Sequence, residues 1–360
     1  MASTAYGVNH PLAQKLWAKK LFHDTIGASF VGKFTGTSDK SLIQVRSELS
    51  KDAGDRVTVG LRVLLTGSGI QGDNTLEGNE EALTTYSDNC FIDQLRHAVR
   101  SSGKMSEQRI PWEVREEARD GLTDWWTERI ETCVANQLTG NTAQTDTRYT
   151  GNQAAIAPSA SRILCGGGNT TEASLSATTT HAIALTDLDR AVANAKESST
   201  AGVPRIRPVR VDGKDMYVVF LHPYQIYQLR RDASTAGNFF DIQKAQLQGS
   251  KISDNPLMTG AEFIYNGCIV HEWNYLPTIA GTPNSGVASN FRRGVLCGAQ
   301  AAVLAHGQGS KENKMSWEEE MFDFGNQLGV SAGMIFGVKK SVFNSTDFGT
   351  IVLSGYAPAP

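Results

Sequence analysis

The sequence predicts a mixed α+β fold with most of its strands in the C-terminal half. Three observations carry that prediction. The segment "DRVTVGLRVLL" places Val57, Val59, Leu61, Val63 and Leu65 on one face and Thr58, Gly60 and Arg62 on the other, the period of a half-exposed strand. The segment "PWEVREEARDGLTDWWTERIETCVANQLTG" has apolar residues at helical spacing. Short apolar runs punctuated by glycine and asparagine recur near 263–271, 295–305, 315–323, 330–339 and 348–353. A chain of 360 residues, 40% hydrophobic and 20% charged, can bury a large core and form two domains.

In chain order, residues 11–30 repeat Leu12, Leu16, Trp17, Leu21, Phe22 and Ile26 at three- and four-residue steps and read as a short amphipathic helix docking on its own protein or a neighbour, with a membrane-surface helix as the alternative. The strand from Asp55 is followed by a glycine-rich stretch and a second strand, "ALTTYSDNCFID", with Tyr86, Cys90 and Ile92 on one face. The pair reads as a long hairpin with a large tip. Pro111 suits a first helical position and Glu113, Glu116 and Glu117 suit the positive end of a helix. Val114, Ala118, Leu122, Trp125, Ile130, Cys133, Val134 and Leu138 define its apolar face, and Gly140 its stop. At about 1.5 Å per residue this helix is a rod about 40 Å long. Residues 141–180 are polar and low in complexity and read as a loop that buries little. Residues 185–197 read as a helix capped by Thr186, "DMYVVFLHP" as an apolar strand, and "PYQIYQLRRD" as a helix opened by its proline.

The net charge of −3 provides no concentrated basic face for tight nucleic-acid binding. No apolar run approaches the roughly 20 residues that span a bilayer, and the first residues lack the apolar core of a signal peptide. Cys90, Cys133, Cys165, Cys268 and Cys297 are scattered and odd in number, the pattern of small buried hydrophobes in a reduced, cytoplasmic chain.

The enzyme motifs fail on inspection. Gly67-Ser-Gly69-Ile-Gln-Gly72 is a literal dinucleotide fingerprint. It is followed by "DNTLEGNEE", which has no helical period. No lysine or arginine occurs between Arg62 and Arg96, while Asp73, Glu77, Glu80, Glu81, Asp88 and Asp93 supply six acids. A pyrophosphate would meet like charge, so the glycines read as turns at a hairpin tip. "SSGKMSE" lacks the first glycine and the metal-holding hydroxyl of a phosphate loop, and "HEWNY" lacks the second histidine of a zinc helix. No catalytic residues, cofactor or metal are expected. The block Arg96, Arg100, Lys104 and Arg109 follows the acidic hairpin directly, and one chain's acidic tip could lie against another chain's basic block.

"LEGNEEAL", "IDQLRHAVR", "GKMSEQR", the tryptophan-bearing helix, "KMSWEEEMFDFGNQLGVSAGMIFGVKKSVFN" and "FGTIVL" together resemble the major capsid proteins of tailed bacteriophages, most of all the N-four-like podophage branch. The resemblance runs from about Leu12 to Leu353 and implies the Hong Kong 97 capsid fold. On that basis residues 1–40 form an N-terminal arm and 55–95 an extended loop. Residues 96–181 and 311–360 form a peripheral domain with its spine helix at 111–138, and 182–310 form an axial domain.

The implied function is self-assembly into hexamers and pentamers of an icosahedral phage head around double-stranded DNA held non-specifically. The chain's partners would be itself, a separate scaffolding protein, a portal and a decoration protein. It would lie in the virion after assembly in the bacterial cytoplasm, with no membrane. Expected intersubunit contacts are Asp73, Glu77, Glu80 and Glu81 at the tip, Arg96, Arg100, Lys104 and Arg109 in the basic block, and Trp17 and Phe22 in the arm. Some members of the fold cross-link a loop lysine to a neighbour's asparagine, but this loop has no lysine. The alternatives are an encapsulin-like nanocompartment shell protein and a soluble α/β nucleotide-binding enzyme.

Overall fold

The computed structural model describes residue 25 and residues 29–48, 54–62, 68–82, 85–111, 113–197, 205–211, 213–231, 261–308 and 314–360. Most of the helix expected over 11–30, with Trp17 and Phe22, and also Val63, Leu65 and Gly67, lie outside the described residues.

The strands of the N-terminal half are β1 (Thr35–Gly36), β2 (Ile43–Arg46), β3 (Arg56–Arg62), β4 (Thr85–Phe91), β5 (Asp93–Arg100) and β6 (Ile163–Cys165). Then follow β7 (Val209–Val211), β8 (Lys214–Leu221), β9 (Phe263–Tyr265), β10 (Cys268–Glu272), β11 (Phe291–Cys297) and β12 (Ala302–His306). The last are β13 (Met315–Phe322), β14 (Gln327–Lys340), β15 (Val342–Phe343), β16 (Thr346–Asp347) and β17 (Thr350–Tyr356). The α-helices lying wholly within the described residues are α1 (Lys104–Gln108), α2 (Val114–Thr139), α3 (Leu185–Lys196) and α4 (Pro223–Arg231).

One sheet has six strands organised on β14, which pairs with β13 over 327–334, with β5 over 329–336 and with β12 over 336–340. β2 and β1 extend it in parallel beyond β12. Past the start of β5, residues 151–153 hydrogen-bond β14 in its place. Val338 N donates to Gly151 O at 3.0 Å and Asn152 Nδ2 to Phe336 O at 2.8 Å. The second sheet has seven strands in the order β6-β17-β11-β8-β10-β9, with β7 also on β8. Its central strand β8 is an unbroken apolar run because both faces are covered. Val218 and Phe220 face the core that contains α2, and Tyr217, Val219 and Leu221 face the core that contains α3 and α4.

Sheet membership crosses the domain limits expected from sequence. β6 and β17, expected in the peripheral domain, belong to the seven-stranded sheet, and β12, expected in the axial domain, belongs to the six-stranded one. The described end of the expected arm is part of the core. Phe30 and Phe34 pack edge-on against Phe220, with ring centroids 6.0 and 4.9 Å away. The backbone N–H of Phe30 donates to buried Glu131 on α2 at 2.7 Å.

Four local expectations need correction. Pro111 does not open α2. It sits in the turn after α1, the helix starts at Val114, and Glu113 occupies the N-cap. Trp126, not Trp125, belongs to the buried face, because steps of four run Ala118, Leu122, Trp126, Ile130. Trp125 is half-buried and stacks on His97, with centroids 4.4 Å apart. The cap of α3 is not Thr186, since the Asp187 carboxylate accepts the Ala184 N–H at 3.1 Å. The polar segment 141–180 buries Leu164, Cys165 and Leu175 and contributes β6. It can do so because its buried acid Glu172 is paired. Glu172 accepts both Nε and Nη2 of Arg293, at 2.6 and 2.7 Å. Gly140 ends α2 in the left-handed region, φ 63°, as expected. All five cysteines are buried thiols, and burial pushes Cys90 up to about 11 and Cys133, Cys165 and Cys268 up to about 12.

Two predictions follow from this packing. Trp126→Ala should cost about 3–5 kcal/mol in denaturant unfolding of unassembled subunits, and Trp125→Ala well under half of that. Burial holds His306 down to about 3 and His222 down to about 4, with Lys314 and Arg292 respectively acting in the same direction. The unfolded chain therefore takes up protons below pH ~6.5 that the folded chain refuses, and stability falls with pH by up to about 1.4 kcal/mol per unit per histidine. Asp187 and Asp347, whose carboxyls burial pushes up, oppose this at lower pH. The readout is thus a comparison, in which His306→Gln flattens the fall in stability between pH 6.5 and 4.

Candidate assembly surfaces

β3 and β4 pair antiparallel from Arg56↔Phe91 to Arg62↔Thr85, which makes the expected hairpin. Thr58 Oγ1 donates to Asn89 Oδ1 across it at 2.8 Å. The tip, residues 68–82, has no regular structure and is exposed throughout. Gly69, Gly72 and Gly78 lie at φ 72°, 67° and 87°, where a side chain would be strained. Short bonds shape the tip locally. Asn74 Nδ2 donates to Gln71 O at 2.8 Å, Asn79 Nδ2 to Thr75 O at 3.1 Å, and Gly78 N to Glu80 Oε2 at 2.8 Å. No helix follows the glycines, so no row of helix-end amides faces a phosphate and the nucleotide-site reading fails. Asp73, Glu77, Glu80 and Glu81 are all exposed, together with Ile70 and Leu76.

The root of this hairpin is clamped to the six-stranded sheet. Asp88 forms an ion pair with Lys339 of β14, and both side chains are largely buried. Lys339 Nζ also donates to Asn89 O at 2.8 Å, and Val342 N to Asp88 Oδ2 at 3.1 Å. Gln153 bridges the two elements, donating to Val338 O at 2.6 Å and accepting from Phe91 N at 3.4 Å. Val57 and Cys90 pack with Val303 and Ala305 of β12. At Gly337 a Cβ would stand 1.9 Å from Phe91 O, so only glycine lets β14 pass this close. Lys339, Asp88 and Gln153 were missed as site residues. The strand alternation carried a signal for Asp88, because it puts this acid on the inward face with Tyr86 and Cys90.

The basic block lies along β5, which continues from β4 after Ile92, and in the helix and turn that follow. Arg96 and Arg100 are four apart on β5 and therefore share a face, Lys104 opens α1, and Arg109 follows it. All four are exposed, and among the described residues none is in a salt bridge. Arg100 is oriented within its own subunit. Its Nε donates to Gln327 Oε1 at 2.9 Å, and its guanidinium sits 4.2 Å from the Phe322 ring. The structure thus places the expected acids on a projecting tip and the expected bases on a sheet edge. Among the described residues Asp73, Glu77 and Glu80 have no salt bridge in the subunit. No group of three or more His, Cys, Asp or Glu among the described residues is arranged to hold a metal ion.

The clamp yields a prediction. Asp88→Ala leaves Lys339 half of a buried pair and should cost about 1–3 kcal/mol. It should also lower particle yield by more than that stability loss explains. Particle counts beside a surface control of equal Tm check it.

The family described as phage capsid protein matches residues 5–359. The major capsid protein of Pseudomonas phage KPP25 is 30% identical, with 93% of each chain covered. The capsid of Ralstonia phage GP4 is 31% identical and superposes with a TM-score of 0.79, covering 100% of this chain and 99% of that one. The capsid of cyanophage Pam1, at 22% identity, shares the fold with a TM-score of 0.71, covering 93% and 94%. The match is to shell proteins of phage heads, with no support for a nanocompartment or a nucleotide enzyme. A hairpin clamped at its root, a long helix that packs one face into the core and two sheets, together with these matches, place the chain in the phage capsid protein family, with the Hong Kong 97 fold.

Proposed function

We propose that this shell subunit forms hexamers and pentamers in which the acidic hairpin tip of one copy lies against the basic block of the next. One observation carries the reading. Asp73, Glu77 and Glu80 are exposed on a stem clamped at its root, Arg96, Arg100, Lys104 and Arg109 are exposed on and beside an edge strand, and none of the seven is in a salt bridge among the described residues. Such a contact uses two different patches of the same surface, and copies joined head to tail close into rings when the rotation allows. Each exposed ion pair adds only about 0–1 kcal/mol, so the charges select partner and register while the sum of many contacts holds the shell.

On this reading the extended loop is 55–95, the arm lies within 1–40, the spine is α2, and the peripheral and axial domains take 96–181 with 311–360 and 182–310. The interior holds double-stranded DNA through non-specific contacts. A separate scaffolding protein directs assembly, a portal occupies one vertex, and a decoration protein is a candidate outer partner. The subunit works through contact and carries no catalytic step.

Electron microscopy of the chain co-expressed with its scaffold should show closed particles, and persistent monomer would overturn the proposal. Changing Glu77, Glu80 and Glu81 to lysine should abolish or sharply reduce particles and leave the circular dichroism of the subunit intact. Adding Arg96→Glu and Arg100→Glu to that variant should restore part of the yield. Normal particles from the triple lysine variant would show that tip charge has no role.

A further inference from the structure

The end of β14 carries a second lysine with a different fate from its neighbour. Lys339 holds the hairpin root, whereas Lys340 points into the interior and is 0% exposed. Its Nζ lies 2.8 Å from Oδ1 of Asp347, which is 1% exposed, yet the contact lacks the alignment of a hydrogen bond. A buried ion pair with poor alignment is a poor stabiliser, because desolvation costs several kcal/mol per ion and only good geometry offsets it. The amine is instead placed close against a carboxyl group with water excluded.

We propose that Lys340 and Asp347 condense into an intramolecular amide bond. The Nζ lone pair attacks Cγ of Asp347, the Cγ–O bond breaks, and one carboxyl oxygen leaves as water. An ammonium and a carboxylate give an amide and one water, so atoms and charge balance with no oxidant or co-reactant.

The surroundings favour each step. Burial pushes the Lys340 amine down and the Asp347 carboxyl up, and both directions lead toward the neutral amine and neutral acid that react. The backbone N–H of Ser159 donates to Asp347 Oδ2 at 3.2 Å, where it would stabilise the oxygen of a tetrahedral adduct. The charge of buried Arg162 favours the ionised carboxylate, an effect that burial outweighs, and would also stabilise the oxygen of the adduct. Placement is rigid on both sides. Lys340 is fixed by pairing with Ala302, and Asp347 by pairing with Val342 across a turn whose Asn344 and Ser345 lie at φ 49° and 57°. Two reactants held this way gain effective molarities of about 10⁵ M or more.

The bond would tie the β15–β16 hairpin to β14 one residue beyond the Asp88–Lys339 clamp. It lies within one subunit and is independent of any contact between subunits, so it stands or falls separately from the proposed assembly mode.

Mass spectrometry of the full chain decides it, on fresh subunits and on assembled particles. The expected intact mass is lower than the sequence mass by one water, about 18 Da. After Lys340 the sequence has no lysine or arginine, so trypsin releases Ser341–Pro360 from an unlinked chain. The linked chain should yield Lys340–Pro360 less one water, uncut after Lys340. Lys340→Met should regain the full sequence mass. A full wild-type mass in both samples overturns the proposal. So does a water loss with normal cleavage after Lys340, or one that persists in Lys340→Met, since either places the loss elsewhere.

Discussion

Among the described residues, the hairpin with the acidic tip and the strand that carries Arg96 and Arg100 are both attached to β14. Along its length it pairs with β13, β5 and β12, and residues 151–153 complete its hydrogen bonding where β5 has ended. The basic block is on β5 and the turn after it, and the hairpin stem rests on β12 and is clamped by Lys339. A displacement of β14 would therefore move the acidic and basic surfaces together. Gly337 states the constraint most sharply, because any side chain there would drive Phe91 and the hairpin root away from the sheet.

A second constraint joins the two sheets. Arg293 of β11 forms a two-pronged pair with Glu172 and also donates to Gly140 O at 2.8 Å, one of the carbonyls left open at the end of α2. Ser354 of β17 donates to Glu172 at 2.7 Å. Glu131, midway along α2, accepts from Phe30 N and from Trp273 Nε1. The long helix is thus fixed at its C-terminal end and near its middle to the seven-stranded sheet, while its apolar face packs on the six-stranded one. Glu172 and Arg293 are charge partners, and removing either would leave an isolated buried charge, a far larger loss than the pair is worth in net stability.

The sequence made the long elements legible and concealed the polar ones. The hairpin, the α2 stop at Gly140 and the β8 run follow from period, a left-handed glycine and continuous apolarity, all local signals. Trp125 and Trp126 are adjacent, and only the phase of the helix tells which one is buried. Glu172 and Arg293 are 121 residues apart, and no local pattern relates them. That is why segment 141–180 reads as a polar loop although it supplies half of a buried pair. The tip acids and Arg96 to Arg109 are visible as charge patterns, whereas nothing local separates Lys339 from Lys340 beside it. The role of Lys339 depends on which strand crosses it.

On the proposed assembly mode, the local order of the tip would lower the cost of docking. An exposed loop of fifteen residues would ordinarily lose much conformational freedom on docking, about 1–2 kcal/mol for each backbone residue fixed. Here three positive-φ glycines and the bonds of Asn74, Asn79 and Glu80 hold part of that shape before any partner arrives. Less ordering remains to be done at contact, so modest ion pairs and the exposed Leu76 can leave a net gain. The glycines that imitate a phosphate loop in the sequence shape the tip, and the exposed acids around them, which would repel a phosphate, suit the cationic edge of the proposed contact.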